Sequence, residues 1–218
     1  VGGTDVHNSL TAIEEDNFYG KHVSQEPSPR RLSETSTKGL GFTRFDWNYT
    51  AAGYAAVWAT ENTREAIWDA MYRKETYATS GSRMTLRFFG GWDFKAGDAR
   101  GPSLVDAGYA RGVPMGADLP KPADASKAPT FMVAAMKDPL SGNLDRIQII
   151  KGWLDAKGET HERIYDVVWG DADRRKVRAG GKLAPVGDTV DVATATWTDT
   201  IGDPELAATW TDPDFDAT

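Results

Sequence analysis

Arg146-Ile147-Gln148-Ile149-Ile150-Lys151-Gly152-Trp153 runs into Asp155-Ala156-Lys157-Gly158, and His161-Glu162-Arg163-Ile164-Tyr165-Asp166-Val167-Val168-Trp169 follows. The first run is rich in β-branched residues. The tetrapeptide carries the Asp and Gly of a tight turn. The third run returns with Ile164, Tyr165, Val167 and Val168 as its apolar content. Strand, turn and returning strand make a β-hairpin. Thr130 to Met136, an apolar stretch before the turn at Pro139 to Asn143, reads as another strand. Asp171 to Gly181 is charged and reads as a loop. Val190 to Trp197 alternates Val, Ala and Thr and reads as a further strand, with loop after Ile201.

Toward the N-terminus the period changes. Tyr49 to Lys74 reads as helical, with a dense apolar patch from Ala51 to Trp58. Asn62 with Glu65 three residues on gives a capping-box pattern. Ala66, Ile67, Ala70 and Met71 then fall on one helix face. Thr76 to Thr79 and Met84 to Phe89 read as strands, with Gly90-Gly91 ending the second. Gly97 to Lys127, rich in Gly, Pro, Asp and Ala, reads as a long connection with at most one short helix around Ser103 to Ala110. The first forty residues are polar and loop-like.

Composition narrows the function classes. Of 218 residues, 40% are hydrophobic and 26% charged, which is ordinary for a folded chain. Lys plus Arg is 25 against 32 Asp plus Glu, a net charge of −7. That balance opposes broad nucleic-acid binding, so no nucleic-acid partner is expected. Apolar runs fall far short of the roughly 20 residues of a membrane helix, so no membrane partner is expected either. The absence of Cys excludes disulfide scaffolds, iron–sulfur clusters and Cys-ligated zinc. The chain opens at Val1 and stops at Thr218 without a closing element, which leads to the expectation of a piece of a longer protein.

Four constellations could carry chemistry. Asp5 and His7, two apart in an extended segment, point to the same side. Carboxylate oxygen with imidazole nitrogen suits Zn, Mn or Fe; a surface Asp with a capping His is the plainer alternative. Lys21-His22 could meet a phosphate or sulfate, or form a solvated loop. Arg83, after Gly81-Ser82 in a turn, could clamp an anion or simply start a strand. Trp47, Trp92, Trp153 and Trp169 could form a sugar-stacking platform, with core packing as the alternative. Gly112 to Gly116 lacks the Lys-Ser/Thr of a phosphate loop.

A resemblance adds to this reading. It runs through Gly3-Thr4-Asp5-Val6-His7, Glu14 to His22, Glu26-Pro27-Ser28-Pro29 and Thr63 to Met71. It continues through Tyr77 to Met84, Arg87 to Phe94, Gly108 to Gly116 and Thr211 to Asp216. Together these resemble the C-terminal part of proteins carrying domain of unknown function 3604. That family is similar to the polymerase-and-histidinol-phosphatase (PHP) superfamily of metal-dependent phosphoesterases, whose last metal motif is an Asp-x-His. The resemblance implies an α/β fold: the remnant of a distorted PHP-like (β/α) barrel followed by an antiparallel β-rich extension. It divides the chain into barrel remnant (1–90), long connection (91–129) and β-rich region (130–218).

The same resemblance implies a divalent metal, Zn, Mn or Fe, bound by Asp5 and His7 in a hydrolase of phosphate esters. Lys21, His22 and Arg83 become contacts to a small anionic substrate. The remaining ligands should lie upstream of Val1, so the 218 residues alone are expected to be inactive. Export to the periplasm or beyond, seen in relatives, is an expectation of the same kind. The competing reading is a β-rich binding or structural module without catalysis.

Overall fold

The structure is a computed structural model, and it describes residues 2–3, 35–39, 42–45, 53–101, 103–178 and 181–215. Its elements in chain order are β1 (Thr35–Gly39), β2 (Phe42–Phe45), β3 (Ala55–Val57), α1 (Arg64–Tyr72), β4 (Thr76–Ala78) and β5 (Thr85–Gly91). Then come α2 (Ser103–Arg111), β6 (Gly112–Pro114), β7 (Thr130–Met136), β8 (Arg146–Leu154), β9 (Thr160–Trp169) and β10 (Glu205–Thr211). The chain divides into two compact units, Val1–Arg83 and Met84–Thr218.

In the first unit, β1 pairs with β2 and β3 with β4, both antiparallel. The helix between β3 and β4 is capped by Thr63, whose Oγ1 accepts from Ala66 N at 3.3 Å. The expected helical region is therefore too long, and its cap lies one residue beyond Asn62. Ala55 to Val57 forms a strand because Thr76 to Ala78 offers it a partner, and that pairing outweighs the helix propensity of alanine. Ala66 and Ala70 are the buried residues of α1, whereas Met71 is exposed and Ile67 half-buried. Trp68 and Tyr72, one turn apart, stack at 5.0 Å on the exposed side.

The second unit is built on a four-stranded antiparallel sheet ordered β10-β7-β5-β6. Alternation along the strands divides its residues between two faces. Phe89, Met132 and Thr209 are in register on one face, with Arg87, Ala134 and Ala207 beside them. Against this face pack Leu104, Val105 and Ala107 of α2, together with Phe94 and Ala99. Helix and sheet approach so closely at Gly108 that a Cβ there would sit 2.6 Å from the Phe89 ring. The other face carries Leu86, Phe88, Val133, Ala135, Leu206 and Ala208, and it receives Ile147, Val167 and Val168 of the β8–β9 hairpin with Leu144.

At the hairpin base, Arg175 Nη1 donates to the carbonyls of Asp145 (3.1 Å) and Gly170 (2.8 Å). Arg175 Nη2 donates to Ala184 O and pairs with Asp145. Arg146 reaches Leu183 O and Ala184 O, so two guanidiniums hold the loop that follows β9.

The α/β expectation, a PHP-like (β/α) barrel remnant, is overturned. Every strand pairing among the described residues is antiparallel, and the described helices are two of nine residues each. No barrel closes among the described residues. A (β/α) barrel needs parallel neighbours joined by crossover helices. Here β8 and β9 are joined by a tight turn, and the sheet neighbours β5, β7 and β10 run antiparallel in succession. The barrel is what the family resemblance implies, and the periodicity of the strands does not call for it.

Two smaller expectations also fail. Val190 to Trp197 forms turns with one bridge, Asp191 to Thr196, and its residues are exposed. The segment after Ile201 is not all loop, since Glu205 to Thr211 is an edge strand of the main sheet. Gly90 and Gly91 lie within β5 and pair with Val113 and Gly112. No described helix is long and apolar enough to cross a membrane.

Candidate functional site

The turn expected at Asp155 to Gly158 joins β8 to β9, and Asp155 organises it. Its Oδ1 accepts from the backbone N–H groups of Lys157 (2.8 Å) and Glu159 (2.9 Å). Its Oδ2 lies 3.0 Å from His161 Nε2. The His161 contact, then the Glu159 amide, hold the Asp155 carboxyl below its ordinary 3.8. Ligand atoms of Asp155, Glu159 and His161 all lie within 4.8 Å of one another, a donor set of two carboxylates and an imidazole. Oδ1 is taken up by the amides of the turn and Oδ2 by His161, contacts that account for this grouping without a cation.

Beyond the turn, one face of the hairpin alternates cations and rings. Cross-strand register pairs Ile149 with Tyr165, Lys151 with Arg163 and Trp153 with His161. The Trp153 and His161 rings stack at 5.3 Å, and Lys151 Nζ lies 5.4 Å from the Trp153 centroid. Arg163 lies over Tyr165 at 5.2 Å.

The segment after β10 crosses this face. Lys151 Nζ pairs with Asp212 Oδ2 at 2.6 Å and donates to Asp214 O at 2.8 Å. Arg163 Nη1 meets Asp214 Oδ2 at 2.7 Å, and the Tyr165 hydroxyl donates to the same oxygen at 2.6 Å. That bond to the carboxylate pushes the Tyr165 phenol up to about 12. Phe215 meets Trp92 edge-on at 5.9 Å. Beneath the strap, Phe88, Phe131, Trp210 and Tyr165 form a row with successive centroid separations of 5.4, 5.9 and 4.9 Å.

Of the residues singled out from the sequence, Asp5, His7, Lys21 and His22 lie outside the described residues, as does Trp47. Arg83 is exposed, with its guanidinium 5.6 Å from the Tyr54 ring. Tyr54 and Thr79 are tied by two bonds, Thr79 N to Tyr54 O (3.0 Å) and Tyr54 N to Thr79 Oγ1 (3.1 Å). Gly2 lies directly against the Tyr54 carbonyl, where a Cβ would collide with it. The remaining tryptophans form no common platform. Trp92 Nε1 donates to Pro120 O and Trp169 Nε1 to Arg175 O, while Trp153 is engaged by His161 and Lys151.

Sequence reading passed over Lys151, Arg163, Tyr165, Asp212 and Asp214 as functional residues. The signal for the first three was present: odd-numbered residues of a hairpin strand share a face. The two acids follow β10, where only Leu206 and Trp210 hint at a strand in the sequence.

The sequence pattern of one family, described as Protein of unknown function (DUF3604), matches residues 1–218. No curated protein and no solved structure matches the chain.

Proposed function

The chain belongs to the DUF3604 family, and from that premise we propose that it serves a metal-dependent hydrolase acting on phosphate esters. The observation carrying this reading is the Asp5-Val6-His7 segment, whose Asp-x-His form matches the last metal motif of the superfamily that the family resembles. Arg83, with its guanidinium held over the Tyr54 ring, is the cationic side chain that the first unit offers to an anion.

The donor chemistry fits a divalent Zn, Mn or Fe ion: one carboxylate oxygen and one neutral imidazole nitrogen. Such an ion supplies Lewis-acid polarisation of the phosphoryl group and a water of lowered pKa. Asp5 and His7 would hold such an ion, and a hydrolytic site needs further ligands beside these two. Arg83 binds the phosphate oxygens, with Lys21 and His22 as further anion contacts. The alternative, a β-rich binding module without catalysis, draws on the exposed Ile150, Leu154 and Ile164 of the hairpin.

The test uses the full-length protein that carries this chain, assayed for bound metal and for hydrolysis of a generic phosphate monoester. Asp5→Ala and His7→Ala are expected to lose metal and turnover together. Arg83→Ala should raise KM by about tenfold with metal content intact. A folded, metal-free protein without turnover would overturn the reading.

A further inference from the structure

The strap over the hairpin shows which chemistry its face accepts. Two cations and one hydroxyl converge on two aspartates spaced by a proline, and an aromatic ring follows at Phe215. The grip is uneven along the strap. Asp212 is 5% exposed and Lys151 21%, and Asp212 N also donates to Pro129 O at 3.0 Å. Asp214 and Arg163 are 44% and 58% exposed. Ion pairs open to water hold weakly, so the outer half, Asp214-Phe215, can lift while Asp212 stays anchored. Lifting it leaves Arg163 and the Tyr165 hydroxyl without their shared acceptor, and Trp92 without Phe215 at its edge.

We propose that the Lys151–Arg163–Tyr165 face of the β8–β9 hairpin, with Trp92 beside it, is a recognition surface for acidic–aromatic peptide segments of a partner protein, and that Asp214-Phe215 is its resident intramolecular competitor. A carboxylate of the partner takes the place of Asp214 between guanidinium and phenol, where charge-assisted bonds are strong. An aromatic side chain next to it takes the edge of Trp92. The chain's overall charge of −7 repels such a partner at long range, so recognition depends on this local pair of cations. The tethered strap competes at an effective concentration on the order of millimolar, which lowers the apparent affinity of the closed form. This inference is independent of the hydrolase reading.

The experiment measures anisotropy of a labelled peptide Thr-Asp-Pro-Asp-Phe, the sequence of residues 211–215, against the 218-residue chain and its variants. Asp214→Asn weakens the competitor and is expected to tighten peptide binding about tenfold. Adding Arg163→Gln to that variant should abolish the gain. Phe215→Ala, which leaves both acids in place, should give a smaller gain in the same direction. It serves as the release variant should Asp214→Asn not fold. Absence of any gain in a folded release variant overturns the proposal, as does a gain that survives Arg163→Gln.

Discussion

The two faces of the four-stranded sheet are closed by different physics. Toward α2 the closure is one of shape: Phe89 and Met132 are fully buried, and the Phe89 ring rests where Gly108 has no side chain. Toward the hairpin the closure begins with aliphatic contacts around Val133 and Leu206. It ends in the row of rings and the ion-paired strap at Asp212 and Asp214. The first face should therefore answer to changes of volume, the second to changes of charge. A packed interior tolerates little added or removed volume, whereas exposed ion pairs contribute little to stability and much to selectivity.

The strongest way to break this contrast is on the α2 side. Phe89→Ala is expected to destabilise the chain by about 3–5 kcal/mol in denaturant titrations, because the ring fills a fully enclosed site. Gly108→Ala should cost about 1–3 kcal/mol, since its Cβ would meet the Phe89 ring at 2.6 Å and push helix from sheet. A neutral result there would mean that α2 is free to shift and that shape does not close this face.

On the hairpin side the expected effect on stability is small and the spectroscopic effect is clear. The Tyr165 phenol titrates at about 12 in the folded chain instead of 10.0, chiefly through its bond to Asp214. A raised folded value means that the contribution to stability is fully present below pH 10 and fades as pH rises through about 12. Asp214→Asn should bring that titration back toward 10.0, read as phenolate absorbance by difference from Tyr165→Phe. An unchanged titration would show that the strap does not set the environment of Tyr165.

Sequence and structure agree where pattern and burial are local. The hairpin and Thr130 to Met136 are legible because a β-branched run in the one and an apolar run in the other are bounded by turn residues. Glu205 to Thr211 was not, because two small residues, Ala207 and Ala208, blur the alternation of Leu206 and Trp210. Val190 to Trp197 misled in the opposite sense: it alternates without any core to face. At the candidate site, the Asp155 turn could be read from four residues. The acceptors of Arg163 and Tyr165, in contrast, lie 51 and 49 positions away, beyond any local pattern. The barrel was a transfer from the superfamily that the family resembles, and such a distant likeness does not fix the architecture of these 218 residues.

The position of β10 in the chain also sets an order in time. Thr130 and Thr211, joined side chain to side chain at 3.2 Å, are 81 positions apart, whereas the β8–β9 hairpin closes over a short turn. As the chain leaves the ribosome, the hairpin can form long before β7 meets its outer neighbour. Until Leu206 arrives, Val133 and Ile147 lack one wall of their cluster. A strand made late in this sheet is thus the one that completes it, and a nascent chain halted before Glu205 would carry this apolar face in the open.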